Sequence, residues 1–181
     1  MPDLAKLSHH LDEKAGVCWA VIETPKGRRS KFDYDRKLRA FRLKSLLPEG
    51  MSFPLDFGFI PSTLCDDGDP LDVMVLVDEP TCVGVVLEVR LIGVIEAEED
   101  EKGRTERNDR VLAVPTVARL HADVESADQL PKEFIDNLID FWVQKDRLEG
   151  KTFRPLGVKD AKAAIGIVKQ ASQAAQQAGD A

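Results

Sequence analysis

Short apolar runs separated by turn-forming residues occupy the first two thirds of this 181-residue chain. The run VCWAVIET at 17–24 predicts a strand, and the turn PKGRRS predicts that the chain returns over 31–35 as the second strand of a hairpin. Residues 73–77 are apolar without alternation, which indicates a strand buried on both faces. Residues 83–96 alternate apolar and polar positions, which indicates a strand with one inward face. Further strands are predicted over 39–47 and 111–117.

Helical periodicity begins only in the last third of the chain. Residues 131–144 place Phe134, Leu138 and Trp142 on one apolar stripe, and Pro131 suits the first turn of such a helix. The Ala-rich segment 158–175 predicts a second helix. Strands followed by helices are typical of an α+β fold built on a small barrel or curled sheet.

Length and composition favour one ordinary globular domain. We predict a single domain over 1–181, with a polar N-terminal extension at 1–16 and a frayed tail at 176–181. The 25 basic and 32 acidic residues give a net charge of −7, which argues against nucleic acid as a partner. Three cysteines without a C-x-x-C motif, and the lack of a long apolar run, favour a cytoplasmic protein with no membrane partner.

The segment DDGDPLD at 66–72 carries the most informative chemistry. Its four carboxylates fall within seven residues, Gly68 permits a tight turn, and Asp72 opens a buried strand. Carboxylates this close repel one another and take up protons unless a cation compensates them. An all-oxygen set without His or Cys favours Mg²⁺, with Mn²⁺ as a substitute. A solvated acidic turn is the alternative, whereas a calcium EF-hand fails on the spacing of its ligands.

Several motifs in a fixed order resemble those of soluble inorganic pyrophosphatases. These are VIETP with Glu23, the Lys31–Asp33 triplet KFD, FPLDFGFIP, DGDPLD followed by VMVLV, and RVLAVP. The resemblance covers residues 17–155 and implies a five-stranded OB-like β-barrel with flanking helices, two of them C-terminal. It also implies a Mg²⁺-dependent hydrolase that splits pyrophosphate into two phosphates and forms a homo-oligomer.

The same resemblance implies roles for individual residues. Asp69 is implied as the general base that deprotonates the attacking water. The implied metal positions are Asp67, Asp72, Asp100, Asn108, Asp109, Glu23 and Asp33. The implied substrate-binding positions are Lys31, Lys44, Phe57, Arg110 and Lys145.

Departures from the family pattern cluster at the substrate contacts. Phe53 and Phe57 stand where the family has tyrosines, and each lost hydroxyl costs about 1 kcal/mol of hydrogen bonding. A family arginine falls on Ser45, and strand alternation predicts that the neighbouring Lys44 points to the opposite face. The second metal aspartate of the acidic hairpin falls on Asn108.

The family's Tyr-Lys pair is also replaced, by Lys145 and Asp146. These departures keep two alternatives open. One is a hydrolase of another phosphoanhydride. The other is a non-catalytic OB-type module that binds a metal and an anion, or a partner.

Overall fold

The computed structural model describes residues 3–179 as nine strands and two helices, with short 3₁₀ turns at Leu4–Lys6 and Ala127–Gln129. The strands are β1 (Val17–Thr24), β2 (Ser30–Asp35), β3 (Ala40–Leu46), β4 (Asp56–Phe59), β5 (Asp72–Val75), β6 (Val86–Glu101), β7 (Arg104–Arg107), β8 (Arg110–Pro115) and β9 (Thr152–Asp160). The helices are α1 (Lys132–Leu148) and α2 (Ala161–Gly179). None of the helices in this part of the chain is long and apolar enough to cross a membrane.

Five of these strands close into a ring, which confirms the predicted barrel. β1 pairs with β4, β4 with β5, β5 with β8, β8 with β6, and β6 returns to β1. The β5–β8 pair is parallel and the other four pairs are antiparallel. The long strand β6 continues beyond the ring, where it also pairs with β7 and β9.

Both faces of the barrel strands are buried. Val73 and Val75 of β5 pack in one apolar cluster with α2, whereas Met74 between them packs in a second cluster with α1. This explains why the strand shows a continuous apolar run without alternation, as predicted. The two C-terminal helices therefore cover opposite faces of the same barrel wall.

Several local predictions were wrong, among them the single inward face expected for residues 83–96, since residues 91–95 of β6 are all buried. β2 pairs with β3 in a separate two-stranded sheet and forms no hairpin ladder with β1. Residues 158–160, predicted as helix, end strand β9, and α2 begins only at Ala161. At the ends of the chain, α2 continues through residues 176–179 of the tail that was predicted to fray, and residues 180–181 lie outside the described range. In the N-terminal extension, Ala5 is buried against the fold.

Candidate active site

A cavity of about 730 Å³ opens between the acidic loop, the β2–β3 sheet, the β6–β7 hairpin and helix α1. Most of the residues singled out from the sequence line it. They are Glu23, Lys31, Asp33, Lys44, Phe57, Asp67, Asp69, Asp72, Asn108, Arg110 and Lys145. Residues up to 122 positions apart in the sequence thus contribute carboxylates and cations to one site.

The acidic loop is held in shape by its own backbone. The Asp67 carboxylate accepts a hydrogen bond from the Asp69 amide at 2.9 Å, and the Cys65 amide donates to the Asp69 carbonyl at 2.9 Å. Gly68 between them has φ +86°, a left-handed conformation that favours glycine. Asp69 is exposed toward the cavity, whereas Asp72 lies at the first position of β5, where the barrel holds it. The loop therefore presents fixed carboxylates from a rigid strand end.

Because the cavity is partly buried, two of its carboxyl groups are less easily ionised than carboxyl groups in water. Burial raises the pKa of Asp72, although the nearby charges of Arg110 and Lys31 lower it. Burial also raises the pKa of Glu23 to about 8, against the hydrogen bond that its carboxylate accepts from the Tyr34 amide at 2.6 Å. These carboxylates hold protons more readily than free ones, and a bound cation would favour their ionised forms.

The donor set fits a divalent cation that is shared with a ligand. Within residues 3–179, no three His, Cys, Asp or Glu side chains are gathered closely enough to hold an ion by themselves. Mg²⁺ is commonly bound by one or two carboxylates, with waters and substrate phosphate oxygens completing its six ligands. The open arrangement of Asp67, Asp69 and Asp72 suits such binding.

Two of the cations that line the cavity wall are buried. Arg110 is 3% exposed, and its guanidinium lies 2.7 Å from the Asp72 carboxylate and hydrogen-bonds Asn108. Lys145 is also 3% exposed, and its ammonium lies 2.9 Å from Asp146 and 2.8 Å from Glu149. Lys145 occupies the interior because it lies three residues after Trp142, on the buried stripe of α1.

A β-bulge reverses the predicted direction of Lys44. In the β2–β3 ladder, Lys31 pairs with Ser45 and Phe32 with Leu43, so Lys44 is an extra residue between them. Its ammonium forms an ion pair with Asp33 and lines the cavity, so the prediction that it points away was wrong. The Ser45 hydroxyl is instead buried without a hydrogen-bond partner.

Two predicted metal positions lie outside the cavity lining. Asp109 accepts hydrogen bonds from the Ala97 amide at 3.0 Å and from Arg107 at 2.7 Å. Asp100 accepts from Gly103 and Thr105 within the β6–β7 hairpin. Both carboxylates stabilise the hairpin that carries Asn108.

The sequence reasoning missed nine charged residues that line the cavity. They are Asp35, Arg36, Lys37, Arg42, Glu99, Glu101, Glu106, Glu149 and Lys151. Glu99 and Glu106 are paired directly across β6 and β7, so they share one face of the hairpin, and Lys151 contacts Glu99 at 2.7 Å. Counting alternate positions back from Asn108 would have found Glu106, whereas its partner Glu99 follows only from the register of the hairpin.

Comparisons with known proteins agree with this arrangement of a closed barrel and an acidic, cation-lined cavity. Residues 20–176 match the family model described as inorganic pyrophosphatase. The inorganic pyrophosphatase of Synechocystis sp. is 36% identical over 157 residues, which cover 87% of this chain and 90% of that protein. The inorganic pyrophosphatase of Thermus thermophilus is 37% identical over 158 residues, which again cover 87% of this chain and 90% of that protein.

Solved structures show the same fold. The crystal structure of the Thermus thermophilus inorganic pyrophosphatase superposes with a TM-score of 0.87 at 31% identity, covering 97% of this chain and 99% of that one. The structure of an inorganic pyrophosphatase from Neisseria gonorrhoeae also gives a TM-score of 0.87, at 29% identity, and the match covers 96% of this chain and 99% of that one. The class defined by barrel and cavity is thus that of a barrel-fold phosphoanhydride hydrolase. The chain belongs to the inorganic pyrophosphatase family.

Proposed function

We propose that this cavity hydrolyses inorganic pyrophosphate, the reaction of the family, and that Asp69 is the general base. The observation that carries this proposal is that Asp67, Asp69 and Asp72 face one cavity together with Lys31 and other cations. Asp69 lies between Asp67 and Asp72, which are suited to metal binding, and its side chain is exposed like that of Asp67. It is therefore free to take the proton of a water that attacks phosphorus.

The metal in this proposal is Mg²⁺, with Mn²⁺ as a substitute. Asp67 and Asp72 would hold it, with Glu23 and Asp33 supplying further oxygens deeper in the cavity. When bound, the cation supplies charge neutralisation for the phosphate oxygens and acidifies a coordinated water. Asn108 offers a neutral carbonyl oxygen at the hairpin.

Asp100 and Asp109 would have to release their hairpin hydrogen bonds to act as ligands, as the resemblance implies. Glu99 and Glu106 already line the cavity.

Four cations would bind the phosphate groups. They are Lys31, Lys44, Arg110 and Lys145. Burial lowers the pKa of Lys31, and the charge of Lys145 lowers it further, so an incoming anion relieves the repulsion between these two ammonium groups. Phe57 contributes an apolar wall beside Lys31, whose ammonium lies 6.0 Å from the ring centroid.

Two further expectations belong to this proposal. By resemblance to the family, we propose that the chain assembles as a homo-oligomer. Its three free cysteines suit a reducing, cytoplasmic compartment.

Phosphate release from pyrophosphate in Mg²⁺ tests the proposal. Asp69→Asn keeps the shape of the side chain but removes the base, so we expect turnover to fall by about 10²- to 10⁴-fold. Asp66→Asn is the matched control, since Asp66 is an exposed carboxylate of the same loop but does not line the cavity.

Nucleoside di- and triphosphates are assayed in parallel. Preferred turnover of a nucleotide would favour another phosphoanhydride as the substrate, and binding without any turnover would favour a non-catalytic module.

A further inference from the structure

Trp142 is almost fully buried, at 1% exposure, and yet it borders the cavity. The Arg110 guanidinium carbon lies 4.4 Å from the centroid of its ring, and the Lys145 ammonium lies 5.3 Å from it. One indole ring thus contacts both buried cations of the cavity wall. The negative potential of an aromatic face attracts cations, most strongly where water is excluded.

Conventional hydrogen bonds leave these two cations incompletely fixed. The Arg110 Nε–H is buried and has no hydrogen-bond partner, although an Nη of the same group binds Asp72 and Asn108. Lys145 is tethered to Asp146 of its own helix and to Glu149, which directly follows that helix. The ring of Trp142 supplies the contact that these two cations share.

The ring itself is held in place by its neighbours. Its Nε1–H donates to the Met74 sulfur at 3.1 Å across the second apolar cluster. Phe57 lies at 5.1 Å between ring centroids, tilted by 54°, and Phe141 lies at 5.4 Å in an edge-on arrangement. A ring fixed in this way has one orientation relative to the cavity.

We propose that Trp142 is a positioning residue for phosphate binding, because its ring face orients Arg110 and Lys145 toward the cavity. This inference rests on the proposed function, in which these two cations hold substrate phosphate. Trp142 touches no substrate in this account and acts only through the two cations.

Binding of methylene bisphosphonate, a non-hydrolysable pyrophosphate analogue, tests the proposal by calorimetry in Mg²⁺. Trp142→Leu keeps an apolar side chain but removes the ring, and we expect its Kd to rise at least 10-fold. Trp142→Phe keeps a smaller ring face, and we expect its Kd to rise less than threefold. In pyrophosphate assays Trp142→Leu should raise KM by more than it lowers kcat.

Leu138→Ala is the matched control. Leu138 is 1% exposed on the same stripe of α1 and packs in the same cluster. Its truncation should lower the melting temperature while leaving Kd within twofold of wild type. Equal changes in Kd for Trp142→Leu and Leu138→Ala, or equal changes for the Phe and Leu variants at 142, would overturn the proposal.

Fluorescence provides a test that needs no destabilised variant at 142. In a Trp19→Phe background Trp142 is the remaining tryptophan, and its emission should change as the bisphosphonate binds. Constant emission during saturation would contradict the proposal, even if Trp142→Leu fails to fold. Failure of the proposed function is distinguishable, since it appears as wild-type protein that binds the analogue but releases no phosphate from pyrophosphate.

Discussion

At the scale of single residues, two phenylalanines that replace family tyrosines occupy different surroundings. Phe57 lines the cavity, whereas Phe53 is 1% exposed and packs among Phe57, Phe141 and Trp142. We expect Phe57→Tyr to lower KM for pyrophosphate about fivefold, because one added hydrogen bond contributes about 1 kcal/mol. Steady-state kinetics in Mg²⁺ measures this change.

Phe53→Tyr serves as the counterpart. Its hydroxyl would be buried among aromatic rings without a partner, and we expect about 1–3 kcal/mol lower stability with KM unchanged. Similar effects of the two substitutions on KM would mean that the hydroxyl at 57 does not reach the substrate.

The sequence predicted the common location of those cavity residues whose position depends on local chain geometry. Asp67, Asp69 and Asp72 lie on one short loop that ends in a strand, so they stay together in any barrel of this kind. The direction of Lys44 could not be predicted, because a bulge depends on how β3 pairs with β2 rather than on the residues of β3. Glu99 was missed because only the hairpin register shows which acidic side chains share its face.

At the scale of elements, apolar patterns predicted where strands lie along the chain better than they predicted which strands pair with one another. β1 has the predicted bounds, but its neighbours are β4 and β6, from much later in the chain, instead of β2. A local pattern encodes burial, whereas pairing is decided by which distant strands complete the barrel. β9 has mostly exposed side chains and no apolar alternation, and it was missed for that reason.

Close backbone approach leaves no room for a side chain at Gly58. A Cβ added at Gly58 would lie 1.9 Å from the Val21 carbonyl oxygen and 2.8 Å from the Ile22 Cα, so β1 and β4 would have to separate. We expect Gly58→Ala to lower the free energy of unfolding by about 3 kcal/mol or more. Urea denaturation of the metal-free protein measures the loss.

Gly166 provides the opposite case within α2. Nothing lies within 4 Å of a Cβ placed there, and the position is exposed and helical. Gly166→Ala should therefore raise stability by about 0.5–1 kcal/mol.

For the prediction at Gly58, unchanged stability of the Gly58→Ala variant would mean that β1 and β4 do not approach as closely as described.

The N-terminal segment is joined to α2 through a titratable contact. His9 Nδ1 accepts from the Leu11 amide at 3.0 Å, so Nε2 carries the proton and donates to the Ser172 hydroxyl at 2.8 Å. Burial and the neighbouring His10 lower the pKa of His9 below 6.5. Near this range the unfolded His9 binds more protons than the folded one, so the contribution of His9 to stability rises with pH up to about 6.5, opposite in sign to that of carboxyls with a raised pKa such as Glu23.

His9→Gln should remove that rise, because glutamine does not titrate. Urea unfolding at several pH values between 5 and 7.5 measures the slope, and His121→Gln controls for the loss of a histidine elsewhere. If the His9→Gln variant kept the wild-type slope of unfolding free energy against pH, the contribution assigned to His9 would be contradicted.

At the scale of the whole molecule, the acidic cavity lowers the stability of the fold, because it holds carboxylates together in a chain that already has a net charge of −7. Burial raises the pKa of Glu23, Asp72 and Asp67 alike, so keeping these carboxylates ionised in the folded protein costs free energy. A bound divalent cation offsets this cost only in the folded state, where the carboxylates converge. Metal binding should therefore stabilise the entire domain and not the loop alone.

We expect the melting temperature to be higher in excess Mg²⁺ than in a chelator. At 100 times Kd the gain is about 2.7 kcal/mol, which corresponds to about 5–10 °C for a domain of this size. Scanning calorimetry at fixed protein concentration measures it. Asp67→Asn should lose most of the Mg²⁺-dependent shift, whereas Asp66→Asn, one residue away and outside the cavity lining, should keep it. Equal melting temperatures of the wild type in Mg²⁺ and in chelator would mean that the carboxylates hold no cation. The role assigned to Asp69, which lies between the two proposed metal ligands, would then also be contradicted.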